Sequence, residues 1–236
     1  MMIKLIASGS SRWQRFIRRW GISFLLGEDV IFDTFGSPAV FLKNMRRFNI
    51  DPAGIRHVVF SHDHWDHISG LWRLMPGRRD ITAYVCPSFK QEVKDRIVAA
   101  GARIIEVKGA MQISGDIYST GELCCESGEG AICEQSLAIK TAEGLALVCG
   151  CAHPGLMDII RRARDEFRTD VRCLIGGFHL KDNTDELNAS IIKELLVAGV
   201  SRIAPLHCTG RRAVSMIREA FGRGFLELRE GGGIEL

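Results

Sequence analysis

A chain of 236 residues that is 46% hydrophobic and 25% charged has the balance of a globular protein able to bury a substantial core, which excludes a disordered chain. Its formal charge of +3, from 31 basic and 28 acidic side chains, makes no field that would gather nucleic acid or anionic lipid. No apolar run approaches the ~20 residues of a membrane span, and Lys4, Ser8, Gly9 and Ser10 interrupt the region where a secretory signal would need its apolar core, so a cytoplasmic protein with one domain over 1–236 is expected.

The first half reads as short strands over Ile3 to Ala7, Ile22 to Leu26, Val30 to Phe32 and the fully apolar Val58 to Phe60. Between the first two lies Arg12 to Trp20, where Trp13, Phe16, Ile17 and Trp20 share a helical face. The simplest expectation is an amphipathic helix packed on a sheet with its arginines in solvent; the alternative is that the arginines meet substrate phosphates or nucleic acid. A helix is expected over Pro38 to Phe48. Another spans Ser88 to Ala100, with Phe89, Val93, Ile97 and Ala100 at helical spacing and Gly101 as its cap. Met75 to Arg79 and Ser127 to Gly130 read as surface loops.

Strands at Arg103 to Val107, Ile117 to Thr120, Leu137 to Thr141 and Leu145 to Cys149 make a meander-like middle. Helices and strands then alternate: helix Leu156 to Phe167, strand Cys173 to Ile175, helix Thr184 to Ala198, strand Arg202 to Pro205, helix Arg211 to Phe221. Asn183 with Glu186 suggests a capping box for the second of these helices, and Leu187, Ile191 and Leu195 suggest its buried face. Strand-rich halves covered by helices imply an α/β fold, a four-layer αββα sandwich. The eight cysteines show no C-x-x-C pair, and the neighbours Cys124 and Cys125 argue against a disulfide framework, so most read as small buried hydrophobes.

Chemistry concentrates in Ser61-His62-Asp63-His64-Trp65-Asp66-His67, directly after the apolar strand ending at Phe60. Three imidazoles and two carboxylates in six positions cannot line a buried strand, whereas a turn here aims nitrogen and oxygen donors at one point. Three more of the seven histidines also follow apolar strands, beside small residues: His153 in Gly150-Cys151-Ala152-His153-Pro154-Gly155, His179 in Gly176-Gly177-Phe178-His179, and His207 in Pro205-Leu206-His207-Cys208-Thr209-Gly210. That shared context marks them as candidate ligands. His57 precedes its strand and reads as structural.

The run His62 to His67 matches H-x-H-x-D-H, and here the sequence resembles the metallo-β-lactamase superfamily. Asp33 matches that superfamily's earlier strand-end aspartate, which supports the histidine loop. The motifs GCAHPG, GGFHL and PLHCTG, with Thr120-Gly121-Glu122 before them, resemble in particular the dihydropterin-type synthases of methanopterin biosynthesis and their relatives. The resemblance implies two divalent ions, one held by His62, His64 and His153 and the other by Asp66, His67 and His207. Zinc suits that ligand set best, and manganese or iron also fits. The wider superfamily places a further aspartate between the metals, usually in a Gly-Asp pair after a strand; at the nearest comparable place this chain has Cys151, with Glu122 and Asp158 as weaker candidates.

The resemblance also implies the chemistry. A hydroxide held by the ions would attack a small anionic ester, a phosphoester foremost, with Asp66 orienting it and His179 contacting substrate or acting as general acid. The rival is a transferase joining a pterin methyl diphosphate to an aromatic amine. A metal-binding protein without turnover is the reading from another class, and a nuclease would need a continuous basic track to the metals, which a sequence does not display. Neither the substrate nor the oligomeric state follows from the sequence.

Overall fold

The computed structural model describes residues 1–74, 78–128 and 130–236, leaving aside the side chains of Arg12 and Ser127. Parts of the two expected loops, residues 75–77 and 129, thus lie outside the described residues. The chain forms two compact units, one of Met1–Lys108 with Leu228–Leu236 and one of Gly109–Glu227.

The first unit carries β1 (Met2–Gly9), α1 (Arg12–Phe16), β2 (Gly21–Leu26), β3 (Val30–Phe32), α2 (Pro38–Arg47), β4 (His57–Val59), α3 (Trp65–Ile68), α4 (Leu71–Leu74), β5 (Thr82–Val85), α5 (Gln91–Ala99) and β6 (Arg103–Glu106). Its sheet has the order β15-β1-β2-β3-β4-β5-β6, β15 being Gly233–Glu235 near the chain end. Antiparallel pairing holds from β15 to β3 and parallel pairing from β3 to β6. The parallel strands explain the unbroken apolar run Val58, Val59 and Phe60, all buried, because a strand covered on both faces has no solvent side to make polar. Helix α2 begins where Ser37 caps it and Pro38 presets the backbone, and it sends Phe41 and Met45 into a core shared with Ile6, Ile31, Phe35 and Phe60.

The second unit carries β7 (Met111–Ser114), β8 (Ile117–Ser119), β9 (Leu123–Ser127), β10 (Gly130–Glu134), β11 (Leu137–Thr141), β12 (Gly144–Cys149), α6 (Leu156–Phe167), β13 (Val171–Gly177), α7 (Asp185–Val197), β14 (Arg202–Leu206) and α8 (Arg211–Phe221). Its sheet runs β14-β13-β12-β11-β8-β7, parallel across β12, β13 and β14 and antiparallel elsewhere, while β9 and β10 pair as a separate hairpin. Helix α6 buries Leu156, Ile159, Ile160 and Ala163, an i, i+3, i+4, i+7 stripe that meets Leu147 and Leu174 in one core.

Several expectations need correction. Thr184, not Asn183, caps α7, its hydroxyl accepting the Leu187 N–H at 3.3 Å, while Asn183 reaches Asn188 instead. The buried residues of α7 are Asn188, Ile192 and Leu195; of the expected stripe Leu195 is buried, Ile191 packs half-buried against the core, and Leu187 is exposed. Cys124 and Cys133 form a disulfide across the β9–β10 hairpin, where the strand register sets them directly opposite. Strands β5, β7 and β15 and the β9–β10 hairpin, all short, were not among the expected strands.

The largest correction concerns α1. A capping box between Ser11 and Gln14 starts it and Arg18, at φ +53°, follows its end, so five residues are too few to lay a long apolar face on a sheet. Trp20 is buried, but Trp13 and Phe16 are 67% and 79% exposed and stack on each other with ring centroids 5.7 Å apart. The packed-helix expectation is thus overturned. Among the described residues no helix is long and apolar enough to cross a membrane.

Gly176 shows how closely β12 and β13 approach: at φ +126°, an added Cβ would lie 2.0 Å from the Cys149 carbonyl oxygen. Gly176→Ala is expected to destabilise the protein by about 1–3 kcal/mol or more, since it combines backbone strain with backbone overlap. Denaturant unfolding monitored by circular dichroism measures this.

Candidate metal centre

In the first unit the parallel strands β3 and β4 end side by side, and their ends carry Asp33 and Ser61-His62. Asp33 is fully buried at φ +55°, and its carboxylate is filled by its neighbours. Oδ1 accepts the Ser61 N–H at 2.8 Å; Oδ2 accepts the Ser61 hydroxyl at 2.8 Å and lies 2.6 Å from His67 Nδ1. Ser61 Oγ in turn lies 2.8 Å from His62 Nδ1. With its own proton given to Asp33, that hydroxyl can only accept from His62. Both imidazoles are thereby oriented with Nδ1 on this relay, so Nε2 is the nitrogen that a cation would meet.

Around this anchor the motif closes into a tight group. The His62 ring lies 4.2 Å from His67 and 4.5 Å from His64, centroid to centroid. Asp66 is buried, with Oδ2 3.4 Å from His67 Nε2, so a carboxylate and an imidazole donor stand together. Burial pulls the His67 imidazole down, yet the Asp33 and Asp66 carboxylates outweigh it and hold its pKa well above the ordinary value. The pocket favours positive charge. Asp63, by contrast, accepts the Lys90 N–H and is not part of the group. Gly21 makes room beneath the motif, since a Cβ there would come within 2.0 Å of the Asp66 carbonyl oxygen.

In the second unit the ends of β12, β13 and β14 bring together Cys151, His153, His179, His207 and Cys208. His153 and His179 face each other with centroids 4.5 Å apart. The donor atoms of Cys151, His153 and His179 all lie within 4.8 Å of one another, and those of Cys151, His207 and Cys208 do likewise. Burial pushes the Cys208 thiol up, but the Cys151 thiol and the His207 and His179 imidazoles outweigh it and hold it well below the ordinary thiol range. A hydrogen bond with Cys208 raises His179 despite partial burial. Ala152, His179 and His207 have φ of +58°, +50° and +48°, left-handed conformations that cost roughly 1–3 kcal/mol each in residues other than glycine.

One residue that holds this group in place escaped the sequence reading. Glu134, at the end of β10 and 2% exposed, accepts the backbone N–H of Cys151 at 2.8 Å, of Ala152 at 3.0 Å and of His153 at 3.0 Å. Cys125, on the partner strand β9, donates its thiol to the His153 carbonyl at 3.3 Å. The hairpin thus grips the loop that presents Cys151 and His153. No local motif signals this, because the partners are 17 to 19 residues away and all of them are backbone.

Other candidates fall outside these groups. Asp158 is exposed and pairs with Arg161 on α6. The chain's one Gly-Asp pair, Gly115-Asp116, is an exposed turn between β7 and β8. His57 hydrogen-bonds Tyr84 and lies near Asp29, the structural role expected of it.

With this geometry in place, comparison with known proteins defines the class. The chain has the metallo-β-lactamase fold, and a family model described as a β-lactamase superfamily domain matches residues 29–116. It is 29% identical to the 7,8-dihydropterin-6-methyl-4-(β-D-ribofuranosyl)-aminobenzene-5′-phosphate synthase of Methanocaldococcus jannaschii, over 92% of this chain and 90% of that one. Its structure is similar to that of Tm1679, a metal-dependent hydrolase of the β-lactamase superfamily, with a TM-score of 0.80 and 25% identity over 100% of this chain and 99% of that one. A diphosphatase of the PhnP family shares the fold at 15% identity, with a TM-score of 0.61, over 100% of this chain and 97% of that one.

Two substitutions test the anchors. Asp33→Ala is expected to cost about 3–5 kcal/mol in denaturant unfolding, because it strips a buried hydrogen-bonded partner from His67 and Ser61. Glu134→Gln replaces an acceptor oxygen by an NH₂ group facing an N–H, and is expected to weaken divalent metal binding about 10–100-fold, read by competition with a chromogenic chelator.

Proposed function

We propose that this chain is a metal-dependent hydrolase that holds a pair of divalent ions. His62, His64 and His153 would bind one ion, and Asp66, His67 and His207 the other. What carries the reading is the relay from Asp33 through Ser61 to His62 and directly to His67, which orients both rings with Nε2 as the nitrogen a cation would meet. The donor chemistry fits the group: mainly imidazole nitrogen with one carboxylate suits zinc, and manganese or iron less closely. Similarity to Tm1679 over the whole chain supports the same reading.

When bound, such ions lower the pKa of a water toward neutrality and stabilise negative charge on a reacting oxygen. The chain's own residues would do the rest. Asp66, beside His67 Nε2, would accept a hydrogen bond from the attacking water and orient it. His179 would meet the leaving oxygen through Nδ1, which among the described residues has no hydrogen-bond partner although it is buried. The substrate would be a small anionic ester, foremost a phosphoester. Its charge would find Arg18, which lies over the Trp65 ring at 6.0 Å, between the ligand positions His64 and Asp66. With Trp13 and Phe16 in solvent, Arg15, Arg18 and Arg19 are exposed beside them, which favours an anion-contacting role for the segment.

The second reading is the pterin transferase, favoured by the 29% identity to the archaeal synthase. Product analysis separates the two: hydrolysis consumes one organic substrate and water, whereas condensation joins two organic substrates and releases diphosphate.

Elemental analysis of protein purified without added metal is expected to find bound zinc, and a phosphoester panel to find turnover that chelation abolishes and His64→Ala reduces at least ~100-fold, the scale on which loss of one group stabilising the transition state is felt. Unchanged activity in His64→Ala would refute the metal-assisted reading. Arg18→Ala is expected to raise KM about three- to tenfold with little change in kcat, the effect shrinking as salt rises; steady-state kinetics at two ionic strengths checks it.

A further inference from the structure

Helix α2 sends Phe41 and Met45 into the core of the first unit, and its other side is strongly basic. Lys43, Arg46 and Arg47 on this helix and Arg73 on α4 line one cavity of about 590 Å³, a size common among small-molecule sites. The rest of the lining is apolar, from Pro38, Ala39 and Leu42, with no carboxylate among the described residues. Residues 75–77, which follow α4, are Met, Pro and Gly and bring no charge.

These four side chains lack the partners that other cations of the unit have. Arg56 and Arg78 pair with Asp80, and Lys94 with Glu106. Among the described residues, Lys43, Arg46 and Arg73 make no ion pair or side-chain hydrogen bond, and Arg47 only lies over the Phe48 ring. The dipole of α2 accounts for Arg46 and Arg47 in its last turn, but not for Lys43 one turn earlier or for Arg73. Lys43 and Arg47 are moreover i, i+4 neighbours of like charge, which destabilises a helix until an anion lies between them.

The backbones that carry these cations are tied together. The Thr34 hydroxyl donates to the His67 carbonyl at 2.9 Å and accepts the Leu71 N–H at 3.2 Å, and the Gly70 N–H donates to the Phe35 carbonyl at 3.1 Å. The segment ahead of α2 is thereby bonded to the start of α4, so the two walls of the cavity are set before a ligand arrives, which lowers the cost of binding.

Shape selects the occupant. Helix α2 has ten residues, so the cavity along it is about 15 Å long, enough for a short chain of phosphates. A nucleic acid would need a basic track that continues further, whereas Arg56, Arg78 and Lys94 are already neutralised by acids. A membrane surface would need protruding apolar side chains, whereas Pro38 and Leu42 are half-buried.

We propose that this cavity binds a small oligophosphate, either a free phosphate chain or the phosphates of a nucleotide. The four cations meet phosphate oxygens, and Pro38, Ala39 and Leu42 lie under any organic part. The site uses none of the candidate metal ligands, so it stands whether or not the hydrolase reading does.

The test uses the full chain, freed of metal with phenanthroline, a neutral chelator that does not compete for the cations. Calorimetric titration with inorganic tripolyphosphate at low salt is expected to show one ligand per chain, with affinity falling as salt rises. Lys43→Ala and Arg73→Ala are each expected to weaken binding about three- to fivefold, and the double substitution about tenfold or more. Arg18→Ala, in the other exposed basic segment, is expected to leave the affinity unchanged. Adenosine triphosphate binding more tightly than tripolyphosphate identifies a nucleotide, since only its organic part can use the apolar floor; equal or weaker binding identifies the free phosphate chain.

No binding at low salt overturns the proposal, as does an affinity that the Lys43 and Arg73 substitutions leave unchanged. An affinity that falls with Arg18→Ala instead puts the anion elsewhere and overturns it too. Tighter binding, per phosphate, of a single-stranded RNA oligomer or of phosphatidylglycerol vesicles overturns the small-ligand assignment. Denaturant unfolding curves that coincide with wild type confirm that the substituted chains are folded.

Discussion

A buried carboxylate must have its charge answered by the protein around it, and each unit of this chain organises its candidate ligands around one. Desolvating such a group costs several kcal/mol, while each charge-assisted hydrogen bond returns roughly 1.5–3 kcal/mol, so three good bonds are needed to hold it. Asp33 finds them in the Ser61 N–H, the Ser61 hydroxyl and His67. Glu134 finds them in three successive backbone N–H groups. The requirement works in both directions: the loops satisfy the carboxylates, and the carboxylates leave the loops one conformation. Asp33 acts on side chains and sets ring orientation, whereas Glu134 acts on backbone and sets where a ligand-bearing loop lies.

The strands around these anchors supply rigidity. β4 and β12 to β14 are apolar and largely buried, and the donors sit just beyond their ends, where the ladder stops and the chain is free to turn. Asp33, Ala152, His179 and His207 all take left-handed backbone there. Such strain persists only where packing over-determines it, and both sheets provide that packing. Donors held in this way need little rearrangement to meet a cation, so less binding energy is lost to ordering them.

The fold accommodates several chemistries, as a hydrolase, a diphosphatase and a synthase among its relatives and neighbours attest. Choice among them lies in what surrounds the donors. Here those surroundings are a sulfur beside the histidines, an exposed arginine and tryptophan segment in the first unit, and His179, whose buried Nδ1 has no hydrogen-bond partner among the described residues. Each of these is a local departure that leaves the sheets untouched.

The histidine motif was legible because its imidazoles and carboxylates fall within six positions, directly after an apolar strand. Helices α6 and α8 and strands β3 and β11 were legible down to their residues, because apolar periodicity and end signals agreed there. His153, His179 and His207 were suggested by a repeated strand-end context. Glu134 was not, nor was the Cys124–Cys133 pairing, since both depend on how a hairpin registers and where its end is carried. Helix α7 shows the limit at small scale: two neighbouring residues could each cap it, and of its expected apolar stripe Leu195 is buried while Leu187 meets water. The sequence by itself determined the chemical types of the donors and the apolar strands behind them, because residue identity and periodicity are local properties. Only the tertiary structure decided which carboxylate anchors which loop, and that Trp13 and Phe16 meet water, because those outcomes depend on contacts between segments distant along the chain.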